Sequence, residues 1–193
     1  MNIKVPKKQI ICIIGKSGSG KSTIANWLKN KFNLNILPSY TTRAKRVGEQ
    51  DGVEHKFISR PKFIAIMDSG DMVAYTKFNG KYYGATKEQL FINDIYIIDT
   101  QGLQTLRYNK DIDVISIYID VPLFTRIKRM FQRGDSIKSI ISRVIHDRTA
   151  FAGAGDMVDY VIPNKYLPTT LAKASFVLNG LIKLRDTEWW NKK

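Results

Sequence analysis

Short apolar runs alternate along this chain with stretches in which apolar residues recur at helical spacing. The apolar runs predict buried strands at residues 9–14, 95–99, 114–119 and 158–162. The helical spacing predicts helices at residues 21–32, 61–70, 102–108, 122–131, 136–151 and 169–184. Because strands alternate with helices, the pattern predicts an α/β fold with a parallel sheet core flanked by helices.

Two regions interrupt this alternation and are predicted to be insertions on the core. Ile36 and Leu37 indicate a short strand that Pro38 ends, and residues 38–60 are then polar with turn signals. The following stretch "MVAYTKFNGKYYG" alternates and breaks at Asn79-Gly80, which predicts a β-hairpin. The second insertion is the arginine-rich helical region near residue 133.

Composition narrows the class of protein. The chain has 193 residues, 44% hydrophobic and 25% charged, which predicts one globular domain. The sequence has no apolar run long enough to span a bilayer and no signal-peptide pattern, so we expect a cytoplasmic protein without a membrane partner, although charge taken alone does not decide this. One cysteine, Cys12, excludes an internal disulfide, and its apolar neighbours predict a buried thiol. The net charge of +14 points to anionic partners without choosing among nucleotides, nucleic acid and a membrane surface.

A glycine-rich segment between the first strand and the first helix supplies the first chemistry. It fits the phosphate-loop pattern G-x-x-x-x-G-K-[ST] without a mismatch. Backbone N–H groups of such a loop cradle phosphates, the lysine reaches the β- and γ-phosphates, and the serine ligates Mg²⁺. The predicted ATP-binding residues are Gly15, Lys16, Ser17, Gly18, Ser19, Gly20, Lys21, Ser22 and Thr23, with Ser22 as the metal ligand.

Further motifs follow in order: "TTR…R.GE.DG…F.S" from residue 41, "FNGKYYGAT" at 78–86, "IIDTQG" at 97–102, "RGD" at 133–135 and "DYVIPN" at 159–164. Together with the phosphate loop they resemble the guanylate kinase family over residues 9–185. The resemblance implies a P-loop NTPase-type core (1–37, 95–125 and 151–193), a monophosphate-binding lobe (38–94) and a lid (126–150). It implies ATP and Mg²⁺ as cofactors and transfer of the ATP γ-phosphoryl group to GMP or dGMP.

The same resemblance assigns roles to individual residues. The acceptor phosphate would be held by Arg43, Arg46 and Tyr83, with His55 at the family's aromatic phosphate-gripping position, and the base would face Ser39 and Asp99. The implied catalytic residues, which neutralise charge on the transferring group, are Lys21, Arg43, Arg129, Arg133 and Arg143. A solvated helix face is the alternative for Arg129. Arg126 and Arg148 are expected to be surface or structural residues.

The chain departs from the family pattern near the base pocket. Ala74 stands where the family has a glutamate, and Ala85 stands where it has serine or threonine. Ile97 replaces an aspartate that bears on metal handling. A pocket that loses a hydrogen-bonding partner discriminates less between bases. These departures leave open a related (deoxy)nucleoside monophosphate kinase with relaxed or altered base choice.

Two functions of other classes also remain open. One is a non-catalytic guanylate-kinase-like interaction module, against which the intact phosphate loop argues. The other is nucleic-acid binding, for which the sequence shows charge but no recognition motif. The sequence leaves open the base and sugar preference, the rate, and whether the chain is a monomer or a homodimer. Trp189 and Trp190 are expected to pack the last helix onto the core.

Overall fold

The computed structural model describes residues 7–46, 48–53 and 55–190, with side chains as far as residue 181. A parallel sheet forms the core. Its strands are β1 (Lys8–Ile14), β6 (Ile95–Ile97), β7 (Ile112–Asp120) and β8 (Tyr160–Pro163). They lie in the order β6-β1-β7-β8 across the sheet. All neighbouring pairs in this sheet are parallel, as the alternation of strands and helices predicts.

Apolar residues of β1 point to both faces of this sheet, so helices cover both faces. Ile13 packs in one cluster with Leu28 of α1 (Lys21–Phe32) and Leu178 of α7 (Leu167–Trp190). Cys12 packs in the opposite cluster with Leu103 of α4 (Thr100–Arg107). Cys12 is fully buried, which confirms the expectation, and burial raises the pKa of its thiol.

A second four-stranded sheet, of order β3-β2-β5-β4, lies within residues 39–86. It comprises β2 (Ser39–Thr41), β3 (His55–Phe57), β4 (Met72–Phe78) and β5 (Lys81–Thr86). Strands β4 and β5 form the expected hairpin. Asn79 and Gly80 take φ angles of 47° and 71° at its turn, because a tight two-residue hairpin turn requires positive φ at both positions.

Four further helices complete the described chain. They are α2 (Arg60–Asp68), α3 (Lys87–Ile92), α5 (Leu123–Gln132) and α6 (Ile137–Ala150). The turn at residues 133–136 separates α5 from α6, as the Arg-Gly-Asp stretch predicts. Ser136 ends this turn by accepting a hydrogen bond from the Ser139 N–H at the start of α6. No helix within the described ranges is long and apolar enough to cross a bilayer.

The structure corrects several predicted boundaries. Instead of the strand predicted at Ile36 and Leu37, only Ile36 forms a single parallel bridge, to Ile95 at the sheet edge. The predicted strand at 95–99 ends at Ile97, because Asp99 caps α4 by accepting the Gly102 N–H at 2.8 Å. Strands β2 and β3 and helix α3 were not predicted. The side chains of Trp189 and Trp190 lie outside the described residues, so their packing stays a prediction.

Candidate active site

The glycine-rich loop joins the carboxyl end of β1 to the first residue of α1. Gly18 and Gly20 have φ angles of 75° and 88°, a conformation that side chains disfavour. A Cβ at Gly18 would lie 2.6 Å from the backbone oxygen of Arg126, and one at Gly20 would lie 2.9 Å from Asn164 Nδ2. Both glycines are therefore required by the loop's conformation and by its close neighbours.

Lys21 reaches back over this loop from the start of α1. Its Nζ donates to the carbonyl oxygens of Gly15 at 2.6 Å and Lys16 at 3.2 Å. Burial lowers the pKa of Lys21 to about 8, while the carboxylate of Asp147 opposes that shift. The lysine charge is thus held at the loop, where the N-terminus of α1 adds its own positive end.

The loop has the features of a triphosphate and Mg²⁺ site. The Ser19 hydroxyl is buried and has no hydrogen-bond partner among the described residues. Ser22 is exposed at the start of α1, and no group of three His, Cys, Asp or Glu side chains able to hold a metal occurs in the described ranges. Because Mg²⁺ is commonly held by few protein oxygens together with water and nucleotide phosphates, these residues fit a metal bound with its nucleotide.

A buried ion pair holds the backbone of the phosphate loop. Arg126 Nη1 lies 3.0 Å from Asp147 Oδ2, and both side chains are nearly inaccessible to solvent. The same carboxylate accepts the Ser17 N–H at 2.8 Å, and Arg126 donates to the Ser17 carbonyl oxygen at 3.3 Å. Arg126 is therefore structural rather than on the surface, whereas Arg148 is exposed. Asp147 was missed from the sequence, because nothing local connects it to a loop 130 residues away.

Arg129 contacts the loop backbone rather than solvent. Its guanidinium lies 3.4 Å from the Ser19 carbonyl oxygen and 3.3 Å from that of Asn164. Arg133 instead pairs with Asp135 in the turn between α5 and α6. Arg143 of α6 is held by a hydrogen bond to Ser139 at 3.3 Å.

On the other side of the site, a carboxylate organises the two predicted phosphate-gripping arginines. Both terminal nitrogens of Arg43 donate to Glu49, at 2.6 and 2.5 Å, and the Arg46 N–H donates to the same carboxylate at 2.8 Å. Burial alone would raise the pKa of Glu49, but these hydrogen bonds lower it to about 2. Glu49 therefore stays ionised and fixes the Arg43 guanidinium in a two-bond geometry.

His55 lies next to this cluster and is neutral near pH 7. Its Nδ1 is 2.8 Å from the Ser39 hydroxyl. Burial lowers the pKa of His55 to about 4, and the neighbouring charge of Arg43 adds to the effect. His55 can thus serve the site as a hydrogen-bonding group but not as a cation.

One cavity of about 210 Å³ brings both sides together. Its lining includes every residue expected to contact the acceptor, namely Ser39, Arg43, Arg46, His55, Tyr83 and Asp99. The loop contributes Gly15, Ser17 and Lys21 to the same cavity. Arg46 and Arg143 also line a second cleft, which includes Arg133 and loop residues 18–23, whereas Lys16 lines neither cleft. The two clefts therefore meet at these arginines and Lys21.

The hairpin of the second sheet touches α6 over this cavity. Asn79 Nδ2 donates to the Ser142 hydroxyl at 3.2 Å, and the rings of Phe78 and His146 lie 4.2 Å apart between centroids. Phe78 and His146 both line the cavity. This contact joins the second sheet to α6 along one side of the cavity.

Ala74 and Ala85, the positions of the expected base readers, do not line this cavity. They lie opposite each other in the β4–β5 pair and are fully buried. The lining contains two hydroxyl residues that the sequence did not single out, Thr76 and Tyr96. Ile97 lines the cavity and supplies no carboxylate there.

The family model of guanylate kinase matches residues 7–180. The chain belongs to the guanylate kinase family. It is 30% identical to guanylate kinase of Agrobacterium fabrum over 84% of this chain and 78% of that protein. It is 28% identical to guanylate kinase of Brucella melitensis over 92% of this chain and 84% of that protein.

A solved structure shares the fold. The crystal structure of guanylate kinase from Anaplasma phagocytophilum matches with a TM-score of 0.62 and 21% identity, over 91% of this chain and 87% of that one. The family places the chain among the phosphotransferases, and the shared α/β fold, with its parallel sheet flanked by helices, is the fold class predicted from the sequence.

Proposed function

We propose that this guanylate kinase family member transfers the γ-phosphoryl group of ATP to GMP or dGMP, giving ADP and GDP or dGDP. The observation that carries the proposal is the single cavity lined both by the loop residues around Lys21 and by Arg43 and Arg46. A phosphoryl transfer between two nucleotides needs two phosphate sites that meet in this way.

The donor triphosphate fits the loop. Backbone N–H groups of residues 15–20 and the Lys21 ammonium would hold its phosphates, and the Ser22 hydroxyl would ligate Mg²⁺. Bound Mg²⁺ supplies charge neutralisation across the β- and γ-phosphates. Residues 126–150 act as a lid in this proposal, with Arg133 and Arg143 facing the transferring group from the loop cleft.

The acceptor monophosphate fits the second sheet, which gives residues 38–94 the role of a monophosphate-binding lobe. Arg43, fixed by Glu49, would hold two phosphate oxygens, and Arg46 and Tyr83 would contact the same group. A phosphate acceptor is already an anion, so it needs no strong general base. The neutral His55 fits this requirement, since it adds a hydrogen bond without removing a proton.

A panel of monophosphates tests the proposal. The purified chain is mixed with ATP and Mg²⁺ and with GMP, dGMP, AMP, dAMP, CMP, UMP or dTMP in turn. ADP formation is followed in a coupled assay, and the product nucleotide is identified by chromatography. We expect GMP or dGMP to give the highest kcat/KM. ATP binding without turnover of any monophosphate would instead favour a non-catalytic module.

A related kinase with relaxed base choice is the second candidate. The observation that favours it is that Ala74 and Ala85 are fully buried and lie outside the cavity lining. Neither can supply the polar group that the family usually places there. Comparable kcat/KM values for GMP and another monophosphate in the same panel would support this candidate, and turnover of guanine nucleotides alone would exclude it.

A further inference from the structure

Two hydroxyl groups in the acceptor cavity lack protein partners. Thr76 of β4 is 7% exposed and Tyr96 of β6 is 3% exposed, and both line the cavity. Neither side-chain hydroxyl makes a hydrogen bond with another residue in the described ranges. By contrast, the Ser39 hydroxyl in the same cavity is engaged by His55. Neither hydroxyl is among the fully buried unpaired side-chain atoms of the described residues, so both keep some access to solvent and are free to pair with a molecule bound in the cavity.

These two residues line the same cavity as Arg43 and Arg46 but come from different sheets. Thr76 pairs directly with Tyr83 across the β4–β5 ladder, so the two side chains share one face of the second sheet. Tyr96 comes from the other sheet, three residues before Asp99. A molecule that reaches from Arg43 into the cavity therefore meets hydroxyl groups from both sheets.

Tyr96 belongs to the same apolar cluster as Ala74 and Ala85, the two alanines at the expected base-reading positions. Both alanines are fully buried, so solvent does not reach the cluster at these positions. Thr76 and Tyr96 therefore supply hydroxyl-bearing side chains to the cavity lining, whereas positions 74 and 85 supply none.

We infer that the hydroxyls of Thr76 and Tyr96 hydrogen-bond the base of the acceptor nucleotide and set the base preference. This inference rests on the proposed kinase function. A hydroxyl can donate to a ring keto oxygen or accept from a ring N–H or amino group. Burial raises the pKa of Tyr96, so its phenol stays protonated and can donate at any pH the enzyme works at. Asp99 adds an oxygen that can accept from an amino group.

Substitutions that remove only the hydroxyl test this inference. In Thr76→Val and Tyr96→Phe we expect kcat/KM for the preferred monophosphate to fall about tenfold each, through KM, because each loses one buried hydrogen bond to the ligand. The KM for ATP is expected to stay unchanged. The ratio of kcat/KM between the best and second-best base should shrink in both variants. Thr76→Ser keeps the hydroxyl and is expected to retain the wild-type values.

Two matched controls remove equivalent hydroxyls outside the cavity. Tyr75→Phe changes the neighbouring, 41% exposed residue on the opposite face of β4, and Thr105→Val changes an exposed residue of α4. Both should behave as wild type. Thermal midpoints of all variants show whether a loss of activity is a loss of folding, and Thr76→Ser separates the two for Thr76.

The outcomes for the two proposals are distinct. A wild-type chain that phosphorylates no monophosphate overturns the proposed function. A wild-type chain that is active, with Thr76→Val and Tyr96→Phe unchanged in KM and base ratio, overturns this inference alone. An equal rise in the KM for ATP would also overturn it, because the hydroxyls would then be acting on the loop.

Discussion

The phosphate loop and the acceptor cavity differ in how their polar groups are held. The loop is contiguous, and its groups are fixed by backbone geometry and by bonds from Lys21, Asp147 and Asn164. The acceptor cavity collects side chains from both sheets and from α6, and two of its hydroxyls have no partner in the described structure. Under the proposed function, we expect the loop to tolerate few substitutions, and we expect base preference to change with single residues of the cavity.

The largest effect is expected for the charged lysine of the phosphate loop. Lys21→Met removes the ammonium at the loop, and we expect kcat to fall on the order of a thousandfold, because transition-state charge loses a preorganised partner. Steady-state kinetics with saturating nucleotides measures it. Lys128→Met, an exposed residue of α5, is the control. A loss smaller than tenfold would contradict the role given to Lys21.

The next largest effect is expected for the buried ion pair of Arg126 and Asp147, which contacts the phosphate loop. Asp147→Ala leaves Arg126 buried without its partner, and we expect the free energy of unfolding to fall by about 3–5 kcal/mol. Urea unfolding measures it. The exposed pair Lys87–Asp111 is the contrast, since Asp111→Ala should cost less than about 1 kcal/mol.

The double variant Arg126→Leu/Asp147→Ala sharpens this result. It removes both charges, so we expect it to recover much of the stability lost in Asp147→Ala. Equal destabilisation by Asp147→Ala and Asp111→Ala, or no recovery in the double variant, would show that the loop does not depend on the buried pair.

The pH dependence of kcat/KM for ATP is expected to follow the pKa of Lys21. Because burial lowers the pKa of Lys21 to about 8, kcat/KM for ATP should decline as pH rises through about 8, where the free enzyme loses the ammonium charge. Asp147 opposes the shift, so Asp147→Asn should move the decline to lower pH. A profile that is flat to pH 10 would count against this assignment.

His55 in the acceptor cavity is expected to give a smaller pH effect, which acts on the free energy of unfolding. The pKa of His55 is about 4 when folded, below its ordinary 6.5, so the unfolded chain binds the proton more readily between these values. Stability from neutral His55 is therefore full above pH 6.5 and is lost as pH falls towards 4, by about 2 kcal/mol between pH 7.5 and pH 5. Urea unfolding of wild type and His55→Gln at pH 5 and 7.5 checks it. Equal pH dependence in the two chains would refute it.

Sequence reasoning succeeds where the determining residues are contiguous. Helix α1 begins and ends at the predicted residues 21 and 32, because strand, loop and helix signals follow one another directly. The hairpin at Asn79-Gly80 is likewise local. Helix α3 was missed although Thr86 and Gln89 form a capping box at its start, a signal that four residues carry by themselves.

The rest depends on packing between distant segments. Asp147 reaches a loop 130 residues away, and Tyr96 and Thr76 line one cavity only because two separate sheets border it. Strands β2 and β3 have three residues each, too few to show an alternating pattern. Ala74 and Ala85 stand at the family's base-reading positions but are fully buried outside the cavity lining. Matching the family pattern therefore located the pocket but not the residues that supply its polar groups.

The separation of the two halves is tested most directly by the KM values of Arg43→Met for both nucleotides. We expect KM for GMP to rise about tenfold or more, because the proposed function gives Arg43 two hydrogen bonds to the acceptor phosphate. We expect KM for ATP to change less than about twofold, since Arg43 is not among the residues lining the loop cleft. Parallel rises in both KM values, or an unchanged KM for GMP, would contradict the assignment of Arg43 to a separate acceptor site.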